Sequence, residues 1–279
     1  MYDPDMVARP EVRAWRPPVR GIVEVFHARF TDHSYPMHTH DSWTLLLVDD
    51  GMVRYELDRH EHGALNHLVT LLPPHVPHNG SPATSQGFRK RVLYLDTTIL
   101  GESLIGLAVD TPALHDPGLR RQIHTLHTAL EVPGEELAAE SLLALIHERL
   151  HGHLRQEPPP AVAGSDNHDL AHRLRDLLND RYVDGISLDE AAALLYAHPT
   201  HLIRAFSREF GMAPHQYLTG RRVDLARHLL LEGLPARHVA AASGFYDQSH
   251  LTRHFKKVLG TTPGRYRRRS EALGGRRLG

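Results

Sequence analysis

The chain contains no cysteine. That absence removes disulfides, zinc–thiolate sites, thiol nucleophiles and thiol-based redox sensing together. It also has no run of about 18 apolar residues, the minimum for a membrane-spanning helix. Its opening segment, MYDPDMVARPEVRAW, places acids and prolines where a secretory signal needs an apolar core, so a cytoplasmic location without a membrane partner is expected. Compositional extremes are missing too. Hydrophobic residues make up 41% and charged residues 23% of the 279, which excludes disordered and fibrous classes and leaves room for two cores.

The net charge of −1 conceals a division. Residues 1–167 hold 14 Lys+Arg against 22 Asp+Glu, whereas residues 168–279 hold 18 against 11. One half repels phosphate and the other attracts it, so a nucleic-acid partner is expected for the C-terminal part.

From Val23 to Leu95, short apolar runs (TLLLV, MVRYEL, LVTLL, RVLYL) alternate with DDG, RHEHG and PPHVPHNGSP. This pattern predicts a β-rich sandwich or small barrel, with Asp50-Gly51 as a hairpin signal. Between Gly118 and Gln156 the period changes. Leu119, Ile123, Leu126 and Leu130 form one helical stripe, and Leu137, Leu142, Leu145, Ile146 and Leu150 form a second. QEPPPAVAGSDN, residues 156–167, has three consecutive prolines and no apolar period, and reads as a semi-rigid linker.

The remaining chain repeats itself at a shift of 49 residues. HLIRAFSREFGMAPHQYL from His201 aligns with HLTRHFKKVLGTTPGRYR from His250, and the alanines of 191–193 fall on those of 240–242. Two copies are too few for a solenoid, which needs about three or more, so a duplicated compact unit is expected. In copy one, Ser187 and Glu190 have capping-box spacing, Pro199 can open the next helix and Gly211 can close it. Leu202, Phe206 and Phe210 line its inner side, leaving Thr200, His201, Arg204 and Ser207 outward. In copy two, Pro235 opens a helix and Asp247 caps the next, whose inner side is Leu251, Phe255 and Val258. Its outward face is Gln248, Ser249, Thr252, Arg253 and Lys256. Arginine can fork onto guanine O6/N7 and glutamine onto adenine N6/N7, while Ser, Thr and Lys grip phosphate. Each copy is thus a helix-turn-helix, and the segment from Pro214 forms the amphipathic helix that ties them.

GFYDQSHLTRHFKKVLGTTPGRYRR, Gly244 to Arg268, resembles the C-terminal signature of the AraC/XylS family of transcription regulators, and the resemblance covers residues 168–268. It implies that Thr200, His201 and Arg204 face DNA in one major groove and Gln248, Ser249, His250 and Arg253 in the next. HTHDSW at 38–43, Gly51 and LLPPHVPHNG at 71–80 are similar to that family's cupin-type sensor. This implies a small-molecule pocket inside a barrel, a helix pair that dimerises, and regulation by coupling. The partners implied are double-stranded promoter DNA, an effector, RNA polymerase and a second copy of the chain.

The fold class expected is therefore multidomain: a mainly-β cupin-like barrel over 1–117, a dimerising helix pair over 118–155, a linker over 156–167, an all-α double helix-turn-helix over 168–270 and a basic tail over 271–279. His38 and His40, two apart, share one strand face, and His78 lies where a cupin adds a further inward residue. With Trp43 as pocket wall or core, these are the expected ligand-binding residues. A metal-binding cupin also wants a carboxylate shortly after the histidine pair, and Trp43, Thr44 and Leu45 stand there instead, so no metal or other cofactor is assigned. His60, His62, His115, His151 and His153 read as solvated surface. The rival reading is a metal-dependent cupin enzyme fused to a DNA-binding module. A DNA-repair methyltransferase is excluded because it needs a reactive cysteine.

Overall fold

The computed structural model describes residues 11–155, 166–259 and 261–266. Most of the expected linker, residues 156–165, and the whole basic tail lie outside the described residues, while Asp166 already begins a helix. The chain forms two compact units: residues 1–128 with 145–160, and residues 129–144 with 161–279.

Among its described residues the first unit contains ten strands: β1 Glu11–Trp15, β2 Ile22–Phe30, β3 Tyr35–His38, β4 Trp43–Gly51, β5 Val53–Leu57, β6 His60–Ala64, β7 Val69–Leu72, β8 His78–Pro82, β9 Phe88–Leu95 and β10 Ala113–Leu114. They pair antiparallel in two sheets, ordered β1-β2-β9-β4-β7-β10 and β3-β8-β5-β6. Alternation along β4 and β9 separates the faces. Leu46, Val48 and Val92 join Phe30, Tyr55, Leu57 and Phe88 in the interior cluster. Leu45, Leu47 and Leu93 on the other face are equally inaccessible, which explains why β4 reads as a continuous apolar run.

Asp50-Gly51 does not make the expected hairpin, because β4 and β5 belong to different sheets. Gly51 has φ +74, and a Cβ there would collide with the Gly87 carbonyl, so the glycine marks a crossing of two chain segments. The tight hairpin lies at Asp58-Arg59, whose φ values of 46 and 68 suit a type I′ turn. It joins β5 to β6, a strand in the RHEHG segment expected to be a polar connection.

Helices α1 Thr97–Leu100 and α2 Ile105–Asp110 lie between β9 and β10, and α3 Pro117–Leu130 and α4 Glu136–Arg155 follow β10. Asp116 fixes α3 to α4. Its carboxylate accepts the Gly118 and Leu119 amides at 2.9 and 3.0 Å and binds Arg149 and His153 at 2.5 and 2.6 Å. Those contacts hold its carboxyl well below the usual range against the opposing effect of burial. His153 is exposed, as expected, and its ring also binds Asp116. The α3–α4 pair expected as a separate element over 118–155 is divided: its middle, residues 129–144, belongs with the second unit.

The second unit adds α5 Asp166–Asp180, α6 Leu188–Leu195, α7 Pro199–Phe210, α8 Pro214–Leu231, α9 Ala236–Ala242 and α10 Gln248–Leu259. The end signals act as the sequence predicts. Ser187 Oγ accepts the Glu190 amide and Glu190 accepts the Ser187 amide, Pro199 opens α7, and Gly211 closes it at φ +69. The repeat becomes two matched cores. Ala191, Leu202 and Phe206 pack with Leu218 in one, while Ala240, Leu251 and Phe255 pack with Val223, Ala226 and Leu230 in the other. Helix α8 thus supplies both. Phe206–Tyr217 and Phe255–Tyr266 even share an edge-on geometry, at 5.5 and 5.4 Å between centroids.

Candidate nucleic-acid interface and barrel site

The residue types that suit DNA reading lie on α7 and α10, the second helix of each turn. On α10, Gln248, Ser249, Arg253 and Lys256 are exposed, as their outward placement predicts. Thr252 is half-buried, and its hydroxyl donates to the Gln248 carbonyl at 2.7 Å. On α7, His201 is exposed and Arg204 half-buried. Three placements need correction. Thr200 is only 6% accessible and its hydroxyl is hydrogen-bonded to His198 at 2.8 Å, because its helix-start position turns it inward. His250 is 5% accessible and packed edge-on against Phe245, so unlike the exposed His201 it does not lie on the outer face where the resemblance puts it. Val258, expected inside, is 54% exposed.

Sequence reasoning missed Glu135, which the structure brings to α10. Its Oε1 accepts His254 Nε2 at 2.7 Å and Arg253 Nη2 at 3.0 Å, and lies 3.9 Å from His250 Nε2. Burial alone would raise this carboxyl, but the His254 hydrogen bond and the His254, His250 and Arg253 charges hold it at about 2. Burial and the His254 charge lower His250 to about 4. The only hint in the sequence was a turn, EVPGEE, with three carboxylates in six residues.

In the barrel, the pairing of β3 with β8 sets His38 opposite His78, and His40 joins them. The three rings lie 4.6–5.0 Å apart, and one nitrogen from each lies within 4.8 Å of the others. A backbone carbonyl can only accept, so the Nδ1 contacts of His38 with Pro36 at 2.7 Å and of His78 with Val76 at 3.0 Å fix both protons on Nδ1. Both Nε2 lone pairs remain available, which is the arrangement a divalent first-row metal requires of imidazole ligands. Three such nitrogens fit a metal even without a carboxylate.

Beside the triad stands Lys90, a residue the sequence reading passed over. Its ammonium lies 4.1 Å from the Tyr35 ring centre and close to Phe26 and Phe88, and burial lowers it to about 8. Burial, the other two histidines and Lys90 lower His40 to about 4. Tyr35 Oη and Thr44 Oγ1 are buried without a protein partner. Trp43 is not part of this site. It pairs with Leu95 and alternates with Leu46 and Val48, which puts it, fully buried, on the opposite face of β4. Of the two expectations for Trp43, pocket wall or core, the structure gives core.

Two family profiles match this architecture: an AraC-like ligand binding domain over residues 20–147 and a helix-turn-helix domain over residues 172–269. The chain is 23% identical over 243 residues to YbfI, an uncharacterized HTH-type transcriptional regulator of Bacillus subtilis, covering 82% of this chain and 86% of that one. It is 27% identical over 158 residues to the HTH-type transcriptional activator RhaS of Escherichia fergusonii, covering 54% and 55%. A probable transcriptional regulator of Photobacterium leiognathi, LumQ, is 32% identical over 100 residues, covering 34% of this chain and 40% of its own length. These relatives are named as regulators and none as an enzyme. No helix among the described residues is long and apolar enough to cross a membrane.

Proposed function

This chain belongs to the AraC/XylS family of transcription regulators, and from that premise we propose that an effector bound in the β unit controls how the two helix-turn-helix heads engage promoter DNA. The observation that carries the DNA-binding part is the exposed face of α10. Gln248 and Arg253 suit base edges, and Ser249 and Lys256 suit phosphates. Helix α8, shared by both cores, supports a fixed separation of the heads and hence the reading of successive major grooves about 34 Å apart.

For the effector, the barrel side chains favour an organic anion. Lys90 has aromatic rings around it, and among the described residues no carboxylate pairs with it. His38, His40 and His78 would also hold a divalent metal through their outward nitrogens, and such an ion would supply a Lewis-acid contact for an effector oxygen. Leu142 and Leu145 on α4 are half-exposed and support pairing of two chains along this helix, with RNA polymerase as the final partner at the promoter.

The test is thermal unfolding of the full chain with benzoate, a sugar acid, an amino-acid derivative and the matching neutral sugar. The expected result is a raised midpoint with an anion, lost in Lys90→Met. Stabilisation by the neutral sugar alone, or an unchanged response in Lys90→Met, would contradict the anionic reading.

A further inference from the structure

The turn between α3 and α4 is pressed against the second reading helix. Gly134 has φ +88, and a Cβ there would collide with the His250 ring. Next to it, Glu135 holds both Arg253 and His254. Arg253 stands on the outward face and is 44% exposed, and its guanidinium is the group best suited to fork onto guanine. Glu135 takes one Nη2 N–H of Arg253 and places a negative charge beside it, so the orientation of the guanidinium is set by the carboxylate and not by a guanine edge.

The neighbouring histidines do not make this a metal site. His250 Nδ1 accepts the Tyr246 amide at 3.3 Å, which places its neutral-form proton on Nε2, the atom directed at Glu135. The cluster is therefore held by hydrogen bonds and charge. It also has open space beside it. Glu135 and Glu136 border a cleft of about 660 Å³ whose other walls include Arg181, His215 and Tyr246. The two helices that the turn joins have their far ends, residues 117–128 and 145–155, in the barrel unit.

We propose that Glu135 is an autoinhibitory latch that holds Arg253 off the base edges until the sensor unit shifts the α3–α4 turn. This rests on the reading of Arg253 as a base reader. Release frees the guanidinium for a base edge.

The experiment uses the full chain in four forms: wild type, Glu135→Gln, Arg253→Ala and the double variant. Duplex DNA is enriched from a random pool by wild type and by Glu135→Gln separately, and each enriched duplex is compared with its scrambled form at one salt concentration. Glu135→Gln is expected to bind the enriched duplex on the order of fivefold more tightly than wild type, or to enrich a duplex where wild type enriches none. In the Arg253→Ala background the same change is expected to give no gain, which separates release of Arg253 from loss of a negative charge. Loss of discrimination in Arg253→Ala with no gain from Glu135→Gln would overturn the latch and leave the base-reading role standing. Retained discrimination in Arg253→Ala would overturn that role and the latch together. An equal gain in both backgrounds, or weaker binding by Glu135→Gln in protein whose melting temperature is unchanged, would likewise overturn the latch.

Discussion

The two helix-turn-helix copies share an interior and differ on their faces. Leu202 and Leu251, Phe206 and Phe255, and Tyr217 and Tyr266 occupy matched places in the two cores. His201 and His250, also matched in the repeat, do not: one is exposed and the other is 5% accessible beneath Gly134 and Phe245. Duplication preserves what a residue packs against inside its own unit. It does not preserve what a third element adds from outside, and here the α3–α4 turn covers only the second copy's histidine.

The matched cores give the largest expected effect. Phe206→Ala and Phe255→Ala should each destabilise the second unit by about 3–5 kcal/mol in chemical denaturation, because both rings are fully buried. A loss several-fold larger at one site than at the other would break the equivalence.

The faces give the next. Arg253→Ala should cost about 1–3 kcal/mol of discrimination at one base pair, measured by binding to a set of single-substituted duplexes. A uniform loss across the set would assign Arg253 to phosphate. The pH profile sharpens the difference between His201 and His250. A buried histidine whose folded value is lowered to about 4 binds fewer protons than its unfolded form near 6.5, so its contribution is complete above pH 6.5 and lost as pH falls towards 4. Glu135, lowered to about 2, extends the loss from about 4.5 downward with the same sign. Thermal unfolding between pH 7 and 5 should therefore show a falling midpoint, less steep in His250→Gln, and an identical slope in that variant would count against the buried position. The smallest effect is Lys256→Ala, which should weaken all sequences alike and reduce the salt slope by about one.

Much of this was legible in the sequence for a physical reason. Caps and apolar periods are local, so Ser187, Pro199, Gly211 and Asp247 announced their helix ends, and the repeat disclosed both cores. Tertiary neighbours were not legible. Glu135 and Arg253 are 118 residues apart, and no local rule pairs them. Trp43 was legible only as pocket wall or core, and its burial on the face of β4 opposite Leu46 and Val48 decides for core. Thr200 was placed outward by helical spacing and His250 by the family resemblance; the first ignores the partner its hydroxyl finds in His198 and the second the turn that covers the ring. The histidine triad was visible as residues. Its fixed proton positions depended on carbonyls of Pro36 and Val76 that only the folded chain brings into place.

The central claim is that two heads joined by α8 read DNA together. Its most direct test is in vitro selection of random duplex DNA by the full chain and by Glu135→Gln at a stated salt concentration. The account predicts two short boxes at a fixed separation of about one helical turn, 10–10.5 base pairs between centres. A single box, or two boxes whose spacing varies freely among the selected sequences, would contradict it.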